Sequence, residues 1–241
     1  AITAVSENLK EETYRSFQIE KDIEVIYNFV DVKRFSKKPI DAFRKVIAPD
    51  HERIVLHASN FRKIKRIGDV IQIFKKLNEA IPSKLLLVGD GPERPMAEAL
   101  CRDLNLCDDI RFVGKQQEME DIFAITDLFL LPSEYESFGL SALEAMAGGA
   151  PVVSTNVGGL PEVITQGENG FMANVGDTDQ MARYAIDILK NENSFKKFKA
   201  NAKHRASTFD ITRIVPQYEN LYARLYDGFC REKCKEQVVM K

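Results

Sequence analysis

The chain has 241 residues, a length that suits one large domain or two small ones. With 44% hydrophobic and 29% charged residues it has the composition of a soluble globular protein with a sizeable core, and no apolar run reaches the roughly 18 residues of a membrane span. The formal net charge of −2 argues against a nucleic-acid or membrane-surface binder, since such proteins are usually basic.

Four cysteines, at positions 101, 107, 230 and 234, are the residues that could indicate a metal site or a disulfide framework. Neither pair has a zinc-ligand spacing with a matching second pair, and no histidine pair completes a site. No signal peptide is visible. We therefore expect a reduced, cytoplasmic protein with incidental thiols, and no metal or cofactor.

The elements follow in chain order. Residues 1–5 predict a short buried strand, and a buried strand at the very start suggests a segment cut from a longer chain. Six further apolar runs have the length of strands: 54–58, 85–88, 110–113, 128–131, 151–154 and 169–173. Helical spacing separates several of them, over 67–80, 95–104, 119–126 and 139–147. The remainder is predicted to be helical over 177–190, 194–207 and 211–227, with a polar, frayed end at 233–241.

Strands of Val, Leu and Ile that alternate with helices indicate a parallel sheet covered on both faces. The predicted fold class is therefore α/β, a doubly wound, Rossmann-like parallel sheet of about six strands followed by C-terminal helices. Ligands of such sheets bind at the carboxyl ends of the strands. We expect the functional residues in the loops that follow the strands.

Two carboxylates mark the segment 133–149, which follows the fourth of the six runs. Glu136 lies in the loop and Glu144 more than one turn inside the next helix. A carboxylate beside an anion site can accept hydrogen bonds from sugar hydroxyls. Taken alone, both residues are also what a surface helix start favours, because acids stabilise helix N-termini.

The start of that helix is a candidate anion site. The N–H groups of Phe138, Gly139 and Leu140 are free of helical partners, and the helix dipole adds positive potential there. A glycine at this position allows a diphosphate to approach the backbone closely.

Cations follow the first of the six runs. Arg62 and Lys65 lie in a loop that belongs at the same edge of the sheet, where they could hold a diphosphate and stabilise it as a leaving group. A basic helix start is the alternative interpretation. After the third run, Lys115 and Gln116 could pair through the backbone with the edge of a base.

Together these segments resemble the retaining glycosyltransferases of family four, which have two facing Rossmann-like domains in the GT-B fold. The resemblance rests on Gly89-Asp-Gly91-Pro-Glu, Phe112-Val-Gly114, Pro132-Ser-x-x-Glu136-Ser-Phe-Gly139, Glu144-Ala-Met-Ala-x-Gly149-x-Pro151-Val-Val and Gly158-Gly-x-Pro-Glu162.

The resemblance implies that Glu136 contacts the donor sugar, that Glu144 binds the ribose hydroxyls and that the basic pair binds the diphosphate. The family arginine aligns with Asn60, whereas Lys65 keeps the place of the family lysine, so Arg62 is a candidate for the missing guanidinium.

The resemblance also implies a division of the chain. Residues 1–30 look like the remnant and linker of an N-terminal acceptor domain that is otherwise missing. Residues 31–209 form the donor-binding Rossmann-like domain, and 210–241 hold a crossover helix with a polar tail. An apolar face left exposed on that helix would favour a homo-oligomer.

The implied reaction is the transfer of a sugar from a UDP-sugar to a hydroxyl acceptor with retention of configuration and without a metal. Within the family, Asn28-Phe-Val-Asp31, the 59–62 loop and the 134–141 segment are most similar to enzymes that transfer GlcNAc to L-malate. We expect the 241-residue chain alone to be inactive. A non-catalytic UDP-sugar-binding module and a UDP-GlcNAc epimerase-like enzyme are the alternatives.

Overall fold

The computed structural model describes residues 1–50 and 52–239. The side chains of residues 230–239, and with them the thiols of Cys230 and Cys234, lie outside the described part, as do residues 240–241.

The main body is a six-stranded parallel sheet with strand order β5-β4-β3-β6-β7-β8. Its strands are β3 Arg53–Ser59, β4 Ser83–Gly89, β5 Ile110–Gly114, β6 Leu128–Leu131, β7 Val152–Thr155 and β8 Gly170–Ala173. The chain runs outward from β3 to β5, then returns to the middle and runs outward again from β6 to β8. The strand order therefore reverses between β3 and β6, which is the topological switch point where such sheets bind ligands.

Helices cover both faces of this sheet. They are α2 Val32–Phe35, α3 Asp41–Ile47, α4 Ile67–Ala80, α5 Arg94–Asp103, α6 Glu120–Ile125, α7 Leu140–Gly148, α8 Leu160–Val163, α9 Thr178–Leu189 and α10 Glu192–Ser207, with a 3₁₀ turn at Lys63–Lys65. The alternation of strand side chains separates two cores: Ile54 and Leu56 of β3 join one and Val55 joins the other. The predicted doubly wound α/β fold is confirmed.

Helix α4 illustrates why these segments fold as they do. Its fully buried residues Ile67, Val70, Phe74 and Leu77 recur at intervals of three and four, which places them on one face of a helix. That face packs against β3 and β4 within the second core. The predicted bounds, 67–80, are those of the helix.

Residues 1–30 form a small unit beside the main sheet. Strands β1 Ile2–Ala4 and β2 Ile23–Val25 pair in parallel, with α1 Glu7–Ser16 between them. The last helix, α11 Ile211–Val239, packs on this unit through Ile214 and Leu221, which contact Ile26.

The helices differ from the sequence prediction in two respects. The short helices α2 and α3 were not predicted, because four and seven residues are too few to display helical periodicity. Helix α11 extends to Val239 instead of ending near residue 227, so 233–239 continue the helix rather than fray. No helix in the described part of the chain is long and apolar enough to cross a membrane.

Candidate functional site

Two loops meet at the switch point because β3 and β6 are neighbouring parallel strands, with Val55 opposite Leu128. The loop after β3 carries the predicted cations and the loop after β6 carries Glu136. The ammonium group of Lys65 donates to Glu136 Oε1 at 2.5 Å. The structure therefore brings Lys65 and Glu136 into direct contact across the strand reversal.

Further contacts join the same two loops. The N–H of Glu134 donates to the carbonyl of Ile64 at 2.8 Å, and Arg66 Nη1 donates to Glu134 Oε1 at 2.7 Å. Arg66 also donates to Asp69 in the first turn of α4, which fixes its guanidinium. One loop is thus held on the other by backbone and by side chains.

Glu136 is a mostly buried carboxylate with one engaged oxygen. Its side chain is 11% exposed, and Oε1 accepts from both Lys65 and the hydroxyl of Ser133, the latter at 2.9 Å. Ser133 is held in turn by Thr155 at the end of β7, whose hydroxyl donates to the Ser133 carbonyl at 2.5 Å. Oε2 of Glu136 makes no hydrogen bond to any residue that the structure describes, so it can accept one from a ligand hydroxyl.

The backbone around Glu136 rests on two glycines. The N–H of Gly159 donates to the Glu136 carbonyl at 3.0 Å. A Cβ on Gly158 would lie 1.8 Å from that carbonyl oxygen, and Gly158 has φ +55°. The turn before α8 therefore approaches the loop more closely than any side chain would allow.

The start of α7 presents free amides beside this loop. Gly139 is its N-cap at φ +94° and makes no side-chain cap, so the first N–H groups of the helix have no helical partner. The positive end of the helix dipole adds to their potential. The glycine has a second role that the sequence did not suggest: a Cβ there would meet Leu160 Cδ2 at 2.5 Å.

Phe138 and Leu140 offer the site their backbone more than their side chains. The ring of Phe138 is buried and packs on Tyr27 and Phe209 with centroid distances of 6.0 and 5.6 Å. The side chain of Leu140 is 43% exposed. The aromatic cluster therefore anchors the loop at the start of α7 to the core.

Glu144 lies in the second turn of α7, half-buried and without a hydrogen-bond partner among the described residues. Burial raises the pKa of this carboxyl, Arg34 lowers it and Glu120 raises it further. Arg34 itself donates to Glu120, a buried carboxylate whose second oxygen has no hydrogen-bond partner among the residues that the structure describes. Glu144 is therefore a half-buried carboxylate that no hydrogen bond from the described residues engages.

The other predicted residues have exposed side chains. Arg62 makes no ion pair or side-chain hydrogen bond within the described part of the chain, and Asn60 is exposed beside it. Lys115 and Gln116 lie beyond β5, an edge strand two positions from β3, and Gln116 Nε2 donates to the Val113 carbonyl at 3.1 Å. The structure joins Lys65, not Arg62, to Glu136.

The 1–30 unit reaches the same loop through residues that were not predicted as site residues. The hydroxyl of Ser6 donates to the Ser137 carbonyl at 2.7 Å, and the Glu162 carboxylate accepts from the N–H groups of Glu7 and Asn8 at 2.8 and 2.9 Å. The serine before Glu7 is a recognisable N-cap signal, but its partner across 131 residues is set by tertiary packing.

The comparisons with known proteins identify the family. Residues 40–205 match the family model described as Glycosyl transferases group 1. The chain is 43% identical over 223 residues to N-acetyl-alpha-D-glucosaminyl L-malate synthase of Bacillus anthracis. The aligned region covers 92% of this chain and 58% of that relative.

Two solved structures have the same fold. Sucrose-phosphate synthase of Thermosynechococcus elongatus superposes with a TM-score of 0.83 at 28% identity, over 94% of this chain and 58% of that one. Anabaena Alr3699/HepE in complex with UDP-glucose gives 0.84 at 25% identity, over 92% and 63%. The sheet is thus that of the C-terminal Rossmann-like domain of GT-B glycosyltransferases, and this chain belongs to the glycosyl transferases group 1 family.

Proposed function

We propose that this chain binds the donor, a UDP-sugar, at the junction of the 60–65 and 133–140 loops, and that the whole enzyme transfers the sugar to a hydroxyl acceptor with retention. The contact between Lys65 and Glu136 at the switch point carries this proposal. It places a cation, a carboxylate with a free oxygen and unpaired helix amides together where α/β sheets bind nucleotides.

Charge explains how one site serves both the diphosphate and the sugar. Lys65, Arg62 and the first amides of α7 supply positive potential for the diphosphate, and they stabilise the charge that grows as it leaves. The free Oε2 of Glu136 is an acceptor for a donor-sugar hydroxyl. We assign Glu144, in the second turn of α7, to accept hydrogen bonds from the ribose hydroxyls, and the 115–116 loop to contact the base.

The substrates are proposed from the relatives. The 43% identical protein is an N-acetyl-alpha-D-glucosaminyl L-malate synthase, which supports UDP-GlcNAc as donor and L-malate as acceptor. UDP as the nucleotide is also supported by the Anabaena structure, which contains UDP-glucose. The resemblance of the Glu136-to-Glu144 segment to the retaining glycosyltransferases of family four supports transfer with retention.

We assign the acceptor pocket to a domain outside residues 31–209. The separate β1–β2 sheet supports the assignment of residues 1–30 to that domain, and the packing of α11 on Ile26 supports its assignment as the crossover helix. The chain spans 58% of the length of the Bacillus anthracis relative. A chain without an acceptor pocket binds the donor but transfers nothing.

Calorimetric titration with UDP tests donor binding. We expect weak 1:1 binding with a Kd on the order of 100 µM. Incubation of the 241-residue chain with UDP-GlcNAc and L-malate is expected to give no product. A wild-type chain without any heat of UDP binding contradicts the donor site, and product above background contradicts the assignment of the acceptor pocket.

Replacement of Glu144 by glutamine separates binding from stability. Two charge-assisted hydrogen bonds to the ribose weaken, so affinity for UDP-GlcNAc is expected to fall about tenfold or more. The apo chain is expected to become slightly more stable, with a Tm about 1 to 2 °C higher, because a half-buried charge is removed. Calorimetry and thermal unfolding measure the two effects.

The pH dependence of UDP-GlcNAc binding, compared between wild type and Glu144→Gln, tests whether the Glu144 carboxylate itself contributes to affinity. The pKa of Glu144 is raised, so in wild type the carboxylate takes up a proton at a higher pH than an ordinary glutamate does. Affinity for UDP-GlcNAc is expected to decline as the pH falls through that range. The decline should be absent in Glu144→Gln, and an identical decline in both proteins would show that another group causes it.

A further inference from the structure

A buried histidine lies shortly before the 60–65 loop, which is the proposed binding loop for the diphosphate. His57 lies in β3 with no exposed surface, and its ring stacks on Phe129 at an interplanar angle of 12°. Nδ1 is 2.8 Å from the carbonyl oxygen of Leu130 in the neighbouring strand β6. A carbonyl can only accept, so Nδ1 carries the hydrogen and donates it.

The other ring nitrogen must therefore be an acceptor. Burial lowers the pKa of His57 to about 4, with the Leu130 hydrogen bond opposing the shift in part and the positive charge of Lys65 adding to it, so the ring is neutral near pH 7. Nε2 then has a lone pair, and it lies 2.8 Å from the hydroxyl of Ser59. The Ser59 hydroxyl donates its one hydrogen to His57.

Ser59 passes this orientation on to the backbone of the loop. With its hydrogen directed at His57, its oxygen accepts from the N–H of Phe61 at 3.3 Å. Phe61 is fully buried and has φ +39°, a left-handed conformation that is strained for a residue with a Cβ atom. Its carbonyl accepts from the N–H of Glu93 at 3.0 Å, so both sides of the strained residue are fixed.

Strain at Phe61 persists only because its surroundings hold it. The chain reverses at this residue and then delivers Arg62 and Lys65 to the edge of the sheet. Without the Ser59 contact, relaxation of Phe61 would move the backbone that carries both cations. The line of hydrogen bonds from Leu130 through His57 and Ser59 to Phe61 thus links the two central strands to the loop.

We propose that His57 is a positioning residue that, through the hydroxyl of Ser59, holds the 60–65 loop in the conformation that binds the donor diphosphate. The inference rests on the proposed function, since it concerns the same site. His57 touches no ligand in this scheme; it sets where the Lys65 ammonium and the Arg62 guanidinium stand.

The test uses two variants. His57→Phe keeps a stacked ring but removes both ring nitrogens, and Ser59→Ala removes the hydroxyl that connects His57 to the backbone of Phe61. Calorimetry with UDP on the 241-residue chain is expected to show about tenfold weaker binding for each variant, equivalent to about 1.4 kcal/mol. The double variant is expected to bind no more weakly than the worse single variant, because both break the same link.

Ser83→Ala is the matched control. Ser83 is a buried serine at the opposite, amino end of the neighbouring strand β4, and its hydroxyl donates to the Ile81 carbonyl at 2.7 Å. It should lose stability as Ser59→Ala does and bind UDP as wild type does. His57→Gln, which retains one donor and one acceptor, is expected to recover part of the affinity lost in His57→Phe.

The outcomes separate the two ideas. If wild type binds UDP and the folded His57→Phe and Ser59→Ala variants bind it equally well, His57 is a packing residue and the positioning role is wrong while the donor site stands. If wild type does not bind UDP, the donor site itself is wrong. Should His57→Phe not fold, Ser59→Ala against Ser83→Ala still decides, because it changes a single hydroxyl at each end of the sheet.

Discussion

A chain with Lys65 replaced by methionine is expected to bind UDP about 100-fold more weakly than wild type. Loss of one charge-assisted phosphate contact, together with the loop order that this contact supports, accounts for an effect of this size. Lys65 is the cation that the structure holds against Glu136, with only 20% of its side chain exposed. Methionine keeps the length and the apolar stem, so the change tests the charge.

The same variant is expected to be less stable. Glu136, 11% exposed, would keep only the Ser133 hydroxyl as a partner. Breaking a fully buried ion pair costs about 3 to 5 kcal/mol, and this pair retains some water, so we expect about 2 kcal/mol and a Tm lower by roughly 4 to 8 °C.

A double variant separates the two effects. In Lys65→Met with Glu136→Gln the unpaired charge is gone, so stability should return most of the way to wild type while UDP affinity stays low. If the double variant regained affinity, the lysine would act only through the fold. Calorimetry and thermal unfolding on the four proteins complete the cycle.

The ion pair of Arg44 with Asp127 is the matched control. Its length is 2.7 Å and its side chains are 27% and 7% exposed, but Asp127 directly precedes β6 and so lies at the amino end of the sheet. Arg44→Met should lose comparable stability and bind UDP normally. Weakened UDP binding in this variant would mean that any loss of a buried pair disturbs the site.

The main sheet was predictable because each strand is an apolar run bounded by glycine, proline or polar residues. For this reason the sequence predicts the strand 128–131 at its observed bounds, and the recurrence of apolar residues at intervals of three and four does the same for the helix 67–80. In a parallel sheet the loops that follow adjacent strands lie at the same edge. The contact between the 60–65 and 133–140 loops could therefore also be predicted.

What could not be predicted depends on contacts distant in sequence. The choice of Lys65 over Arg62 as the partner of Glu136 depends on the 3₁₀ turn at 63–65, which has no sequence signal of its own. The hydrogen bond of Ser6 to Ser137 spans two units of the chain. Helices α2 and α3 are too short for a periodic pattern, so their formation depends mainly on packing.

The glycine pair at 158–159 shows most clearly which features can be predicted from local sequence and which cannot. A glycine pair before a short helix predicts a tight turn, and Gly158 with Gly159 forms one. That the turn presses against the carbonyl of Glu136, 22 residues earlier in the chain, is a tertiary fact that local sequence does not carry. The residue is therefore better understood as part of the site than as a turn former.

Replacing Gly158 by alanine is expected to destabilise the chain by more than 3 kcal/mol. The new Cβ would lie 1.8 Å from the Glu136 carbonyl oxygen and 2.8 Å from its carbon, so backbone must move. A left-handed φ of +55° adds about 1 to 2 kcal/mol for alanine. Denaturant unfolding measures the loss.

Gly114→Ala is the control that isolates the collision. Gly114 has φ +73°, but a Cβ there would meet no atom within 4 Å, so only the backbone penalty of about 1 to 2 kcal/mol remains. The difference between the two variants in unfolding free energy is the contribution of the close approach to Glu136. Equal losses of unfolding free energy would mean that the turn shifts at no cost to make room for the Cβ. The position of Glu136 would then not depend on Gly158.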